Sequence, residues 1–254
     1  MYDQIEFVIC CAGECTRNYP HSKAISHKCL LPMGDLRMID YILQDIALMG
    51  GKHVTIVCSN QKVIDDFKKA LVTDTKVTEK LREKGRTQIA EIVESTFLPQ
   101  DMNLKFVIQD EPLGTGHVLY AARDAIQNRH VVLIFPDDVI FSHDPENSHL
   151  KRLVDTFLQN SKTVLLTGMY REDVSNNAII QDKRIVEKPK NPTSHIAGLS
   201  PNIIPNEIIQ FLIRQAPEKS QRLITRKKSG FIKIPSIVFW MMVEKKMAFQ
   251  LKCS

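Results

Sequence analysis

The chain has 254 residues, of which 43% are hydrophobic and 25% charged, a balance that suits one large soluble α/β domain and excludes a disordered chain. Thirty-four Lys and Arg against 29 Asp and Glu give a formal charge of +5, which suits an anionic small molecule and makes no case for nucleic acid. The longest apolar run, Ile237 to Val243, is far short of the ~20 residues of a membrane span, and Met1-Tyr2-Asp3-Gln4 leads straight into a strand, so neither a membrane segment nor a signal peptide is expected.

The first element is the apolar run Ile5 to Cys11, which reads as a parallel strand covered on both faces. Further strands are expected at about 53 to 58, 104 to 109 and 130 to 135, alternating with amphipathic helices at about 37 to 50, 61 to 71 and 115 to 127. That alternation predicts a Rossmann-like α/β fold, a mostly parallel sheet flanked by helices. The charged stretch Val72 to Ser95 reads as a helical arm laid over one face. A helix from Ser148 to Asn160 leads to a strand at Thr163 to Met169, and Pro205 to Gln215 and Pro235 to Lys246 read as two late helices. The whole chain, 1–254, is taken as a single domain, with a nucleotide-binding half to about 145 and a sugar-binding half from about 146.

Six cysteines, Cys10, Cys11, Cys15, Cys29, Cys58 and Cys253, show no CxxC ladder, and those in or beside apolar strands are expected to pack as small hydrophobes. This points to a reducing cytoplasm. The basic group Lys219, Arg222, Arg226, Lys227 and Lys228 carries no interleaved aromatics and reads as a solvated loop.

Chemistry concentrates after the first strand. In Ala12-Gly13-Glu14-Cys15-Thr16-Arg17 a glycine turn leaves the strand and can offer backbone N–H groups to an anion, while Arg17 and Lys28 can neutralise its charge. A nucleophilic Cys15 has no His partner within the motif. Gly13-Glu14-Cys15 also lacks the glycine spacing of a dinucleotide-binding turn, so NAD is not expected.

The longer string Gly13-x-x-Thr16-Arg17-x-x-Pro20-x-x-Lys23-Ala24-Ile25, Lys28-x-Leu30-Leu31-Pro32, Ile39-x-Tyr41 resembles the signature of the sugar-phosphate nucleotidyltransferases, especially the glucose-1-phosphate uridylyltransferases and thymidylyltransferases. The resemblance continues, in order, through Gln109-Asp110-Glu111-Pro112-Leu113-Gly114-Thr115-Gly116-His117, Phe135-Pro136-Asp137-Asp138 and Val186-Glu187-Lys188-Pro189-Lys190. It implies transfer of a nucleotidyl group from UTP, or dTTP, to a sugar 1-phosphate, with Mg²⁺ as cofactor and a homo-oligomer within the family's habit. Arg17 would hold the departing β and γ phosphates and Lys28 the α-phosphate as catalytic residues. Ala12, Gly13, Gln109 and Gly114 would bind the nucleotide, Gln109 reading the pyrimidine edge through its amide. Asp137 would ligate Mg²⁺, and Glu187 and Lys188 would hold the sugar phosphate. Asp138 is read as a helper or a turn residue, and His117 as capping or packing at the helix start.

Departures from the pattern are also present. Cys15 stands where the family has glycine, Asn176-Asn177-Ala178 where it has Tyr-Gly, Ser200-Pro201-Asn202 where it has Gly-Arg-Tyr, and Phe231 and Ser236 where it has a sugar-binding glutamate and a structural aspartate. The family's closing Asp-Val-Gly has no counterpart before Ser254. Two readings therefore stand beside uridylyl transfer: a catalytically impaired nucleotide or nucleotide-sugar binding protein, and a thymidylyltransferase.

Overall fold

The first strand, β1 (Ile5–Cys11), sets the architecture, because an apolar run with no polar face is stable only when covered on both sides. In the computed structural model, which describes residues 2–13, 25–111, 114–141, 144, 147–159, 165–175, 177–181, 184–187, 190–215, 240–243 and 248–249, it lies near the centre of a nine-stranded sheet. A short hairpin of β2 (Pro32–Met33) and β3 (Leu36–Arg37) leads into helix α1 (Met38–Leu48). The helix starts where Asp40 turns back to accept from the Arg37 backbone N–H at 2.9 Å, and it stops at Gly50, whose φ of 81° closes the turn.

The chain then alternates as expected. Strand β4 (His53–Cys58) is followed by α2 (Gln61–Ala70), and α3 (Thr75–Glu83) and α4 (Thr87–Glu94) form the arm, tied by a two-pronged Arg82–Glu94 pair at 2.6 and 3.3 Å. Strand β5 (Asn103–Ile108), the short helices α5 (Thr115–Ala121) and α6 (Arg123–Ile126), and strand β6 (His130–Ile134) complete the first half. β1 pairs in parallel with β4 and with β6, and β4 with β5. On one face Phe7 and Ile9 pack with Ile39, Leu43, Phe67 and Phe157; on the other, Val8 packs with Val118, Leu119, Ile126 and Ile209. Helices thus cover both faces, and the expected Rossmann-like, mostly parallel sheet flanked by helices is what forms.

The second half runs β7 (Val139–Ile140), α7 (His149–Gln159), β8 (Leu165–Tyr170), β9 (Ala178–Gln181), β10 (Arg184–Glu187), β11 (Ile196–Ile204) and α8 (Asn206–Gln215). Here the sheet changes direction: β11 is antiparallel to β6, to β8 and to β9, and β9 to β10. One expectation is corrected. The stretch Pro235 to Lys246, read as a helix, contributes β12 (Trp240–Val243), which extends the sheet in parallel alongside β8, and β13 (Ala248–Phe249) follows, pairing with β7. An unbroken apolar run carries no periodicity to separate strand from buried helix, and its aromatic and β-branched residues favour the strand. Among the described residues no helix is long and apolar enough to cross a membrane.

Candidate active site

Register places the site. Cys11 lies opposite Cys58, and Cys58 opposite Ile108, so β1, β4 and β5 end level, while Ile134 of β6 lies opposite Ile9. Ala12 and Gln109 are therefore the first residues beyond flush strand ends. Asp137, three residues beyond Ile134, therefore falls level with Ala12, just past the β6 end. This is the carboxyl edge of the parallel strands, where open α/β sheets collect ligands.

Lys28 reaches that edge from a single 3₁₀ turn, Lys28–Leu30, which sequence alone would not reveal. His27 begins the turn, its Nδ1 accepting from the Cys29 N–H at 3.2 Å, and Leu31 closes it by donating to the Lys28 carbonyl at 3.0 Å. From there the Lys28 ammonium meets Asp137 Oδ2 at 2.6 Å, with the lysine side chain 18% exposed and the aspartate 47%. The two residues are 109 apart in sequence. A cation and a solvent-facing carboxylate at the strand ends can hold opposite ends of a metal-phosphate assembly.

Asp138 has a different task. Burial pushes its carboxyl up to about 6, the neighbouring Asp137 charge adding to the rise and the Ser200 backbone N–H, 3.0 Å from Oδ2, opposing it. Ser200 is fully buried on β11, and its hydroxyl accepts from the Phe135 N–H at 2.9 Å and donates to the Phe135 carbonyl at 3.1 Å. Ser200 and Asp138 thus clamp the turn that carries Asp137. Nothing in the sequence marks Ser200 for this role, because the partners are brought together only by the β6–β11 pairing.

A second cluster lies at the end of β5. Gln109 is 4% exposed, its backbone N–H donating to the Cys58 carbonyl at 2.8 Å, and its amide nitrogen lies 3.0 Å from His117 Nδ1 and 3.5 Å from the Gly114 carbonyl. His117 Nδ1 also lies 2.9 Å from the Glu111 carbonyl. His117, expected only to cap or pack, therefore bears directly on the orientation of the Gln109 amide. Gly114 begins α5 with φ 98° and ψ −176°, a conformation that side-chain-bearing residues scarcely reach.

The other expected residues fall as follows. Ala12 is buried, and among the described residues no atom lies within 4 Å of where a Cβ on Gly13 would project. Glu187 ends β10, which β9 and β11 separate from β6. At about 4.8 Å per strand this puts the β10 end roughly 14 Å from the β6 end, measured along the sheet. Arg17, Lys188, Cys15, Asn176, Phe231 and Ser236 lie outside the described residues.

Comparison with known proteins gives the class. The nucleotidyl transferase family matches residues 7–230, and the chain belongs to that family. It is 28% identical over 222 residues to UTP–glucose-1-phosphate uridylyltransferase 2 of Staphylococcus saprophyticus, covering 82% of this chain and 74% of the relative. With UTP–glucose-1-phosphate uridylyltransferase of Escherichia coli K12 it shares 30% identity over 188 residues, 72% of this chain and 61% of that enzyme. The fold matches that of a UTP-bound enzyme of the same kind from Acinetobacter baumannii with a TM-score of 0.70, at 19% identity over 87% of this chain and 81% of the other. The protein is thus an enzyme of the nucleotidyltransferase class.

Proposed function

We propose that the protein transfers a uridylyl group from UTP to a sugar 1-phosphate, glucose 1-phosphate or a close relative, giving a nucleotide sugar and pyrophosphate. In the reaction an oxygen of the sugar phosphate attacks the α-phosphorus, the bond to the bridging oxygen breaks, and pyrophosphate leaves with the bonding pair. No covalent enzyme intermediate is needed, so catalysis reduces to alignment and charge stabilisation.

The observation that carries this reading is the Lys28–Asp137 pair at 2.6 Å, set at the carboxyl edge of the parallel strands. Lys28 would counter the charge that builds on the α-phosphate. Asp137 offers hard carboxylate oxygen at the surface, a donor that fits Mg²⁺, and Mg²⁺ when bound would supply charge neutralisation across the phosphates. Gln109, held by His117, would meet the pyrimidine edge, and Gly114 would let the base approach the backbone. Arg17, Glu187 and Lys188 are proposed for the leaving phosphates and the sugar phosphate on the strength of the family pattern.

The test is pyrophosphate release with Mg²⁺, UTP and glucose 1-phosphate, run beside dTTP and a panel of sugar 1-phosphates, with Lys28→Ala and Asp137→Ala as controls. Release that needs both residues supports the proposal. Preference for dTTP would make the protein a thymidylyltransferase, and tight UTP binding without release would make it a nucleotide-binding protein.

A further inference from the structure

The thiols Cys11 and Cys29 do not simply fill space. Their sulfur atoms lie 3.5 Å apart, and with a nitrogen of His27 they form a group whose ligand atoms all lie within 4.8 Å of one another. Cys11 and Cys29 are fully buried and His27 is 1% exposed. The group is composite: Cys11 ends β1, and His27 and Cys29 flank Lys28 on the 3₁₀ turn. We propose that Cys11, His27 and Cys29 form a binding site for a thiophilic divalent metal ion of the zinc class, separate from the phosphate-side carboxylate of Asp137.

Geometry and charge favour it. Tetrahedral zinc with bonds of about 2.3 Å to sulfur holds two thiolates about 3.8 Å apart, close to the spacing already present. Two thiolates and one neutral imidazole around a 2+ ion sum to zero charge, so a filled site suits a buried position where a net charge would not. Binding releases the two thiol protons to solvent, and His27 exchanges the Cys29 N–H on Nδ1 for the metal if that nitrogen is the ligand. A water would complete the tetrahedron, Cys58, the register partner of Cys11, standing outside the group of three. The ion would pin the end of β1, which leads into Ala12 and Gly13, to the turn that carries Lys28. It would thereby fix the spacing of two arms of the nucleotide site without touching substrate.

The probe is metal alone on the full chain, reduced and stripped of metal. Native mass spectrometry is expected to show one Zn²⁺ bound with loss of two protons, and Co²⁺ to give a thiolate-to-metal charge-transfer band in the near ultraviolet. Cys29→Ser and Cys11→Ser should abolish the band, while Cys10→Ser, on the opposite face of β1, and Asp137→Ala should keep it. Zn²⁺ bound without proton loss, or a band that survives Cys29→Ser, overturns the proposal. So does a chain that ignores both metals yet forms a Cys11–Cys29 disulfide with oxidised glutathione, which would make the pair a redox element. The mass measurement needs only the unaltered protein, so a variant that fails to fold leaves the question decidable.

Discussion

Replacing Lys28 by alanine separates a catalytic role from a structural one. The Lys28–Asp137 contact is short, 2.6 Å, but the aspartate side chain is 47% exposed, so water screens the pair. Such pairs contribute at most about 1 kcal/mol to stability, which in a chain of this size moves the melting temperature by about 2–4 °C. A donor aimed at charge that develops in the transition state is worth far more to the rate, typically a factor of about 10²–10³. Lys28→Ala should therefore lower kcat for pyrophosphate release by two to three orders of magnitude while leaving the thermal transition almost in place. Pyrophosphate release should be followed by a coupled assay with UTP and glucose 1-phosphate at saturating Mg²⁺, beside calorimetry on the same preparation. Release within threefold of the parent, or a loss of activity accompanied by a fall in melting temperature well beyond 4 °C, would refute the assignment.

Further outcomes follow from other parts of the molecule. Burial, with Arg152 adding to it, holds His149 down at about 4 against an ordinary 6.5, so it stays neutral in the folded protein and gains its proton on unfolding. The contribution of His149 should be complete above pH 6.5 and fall by up to about 3 kcal/mol as pH drops to 4, opposed over the same range by Asp138, whose raised carboxyl holds its proton in the folded state; the stability difference between parent and His149→Gln in urea titrations should therefore shrink as pH drops, and a constant difference removes the argument. Gly114→Ala forces a Cβ onto φ 98° and should cost about 1–3 kcal/mol by chemical unfolding. Gly51→Ala would bring a Cβ to 2.6 Å from Phe7 and 3.0 Å from the Ile46 carbonyl, whereas at Gly198 the nearest atom is 3.6 Å away. The first should destabilise by more than about 1 kcal/mol and the second should be nearly neutral, and equal costs would contradict the packing described.

The parallel half of the fold was legible because its signals are local. Ile5–Cys11 and His130–Ile134 are apolar throughout since both faces are covered, and α2 shows one apolar stripe, Val63, Ile64 and Phe67, against a charged face. Trp240–Val243 was misread as helix because a short unbroken apolar run satisfies either period. At the site, Lys28, Gln109, Gly114 and Asp137 stood out from the order of their motifs. Ser200 and His117 did not, since their importance lies in partners such as Asp138 and Gln109 that only the folded chain brings close. The Cys11–His27–Cys29 group escaped for a related reason: its ligands are 16 and 2 residues apart, and no ladder of spacings announces them.

Strand β11 has a consequence for how the molecule can move. Its first residues pair with β8 and β9, and its last, Asn202 to Ile204, pair with β6, with an irregularity between Leu199 and Ile203. Ser200 sits at that irregularity and grips Phe135 and Asp138. The strands on either side of β11 are thus joined by one continuous sheet and a polar rivet, so a twist of one part against the other would turn about β11. Strain from that twist would arrive, through Ser200, at the turn bearing Asp137.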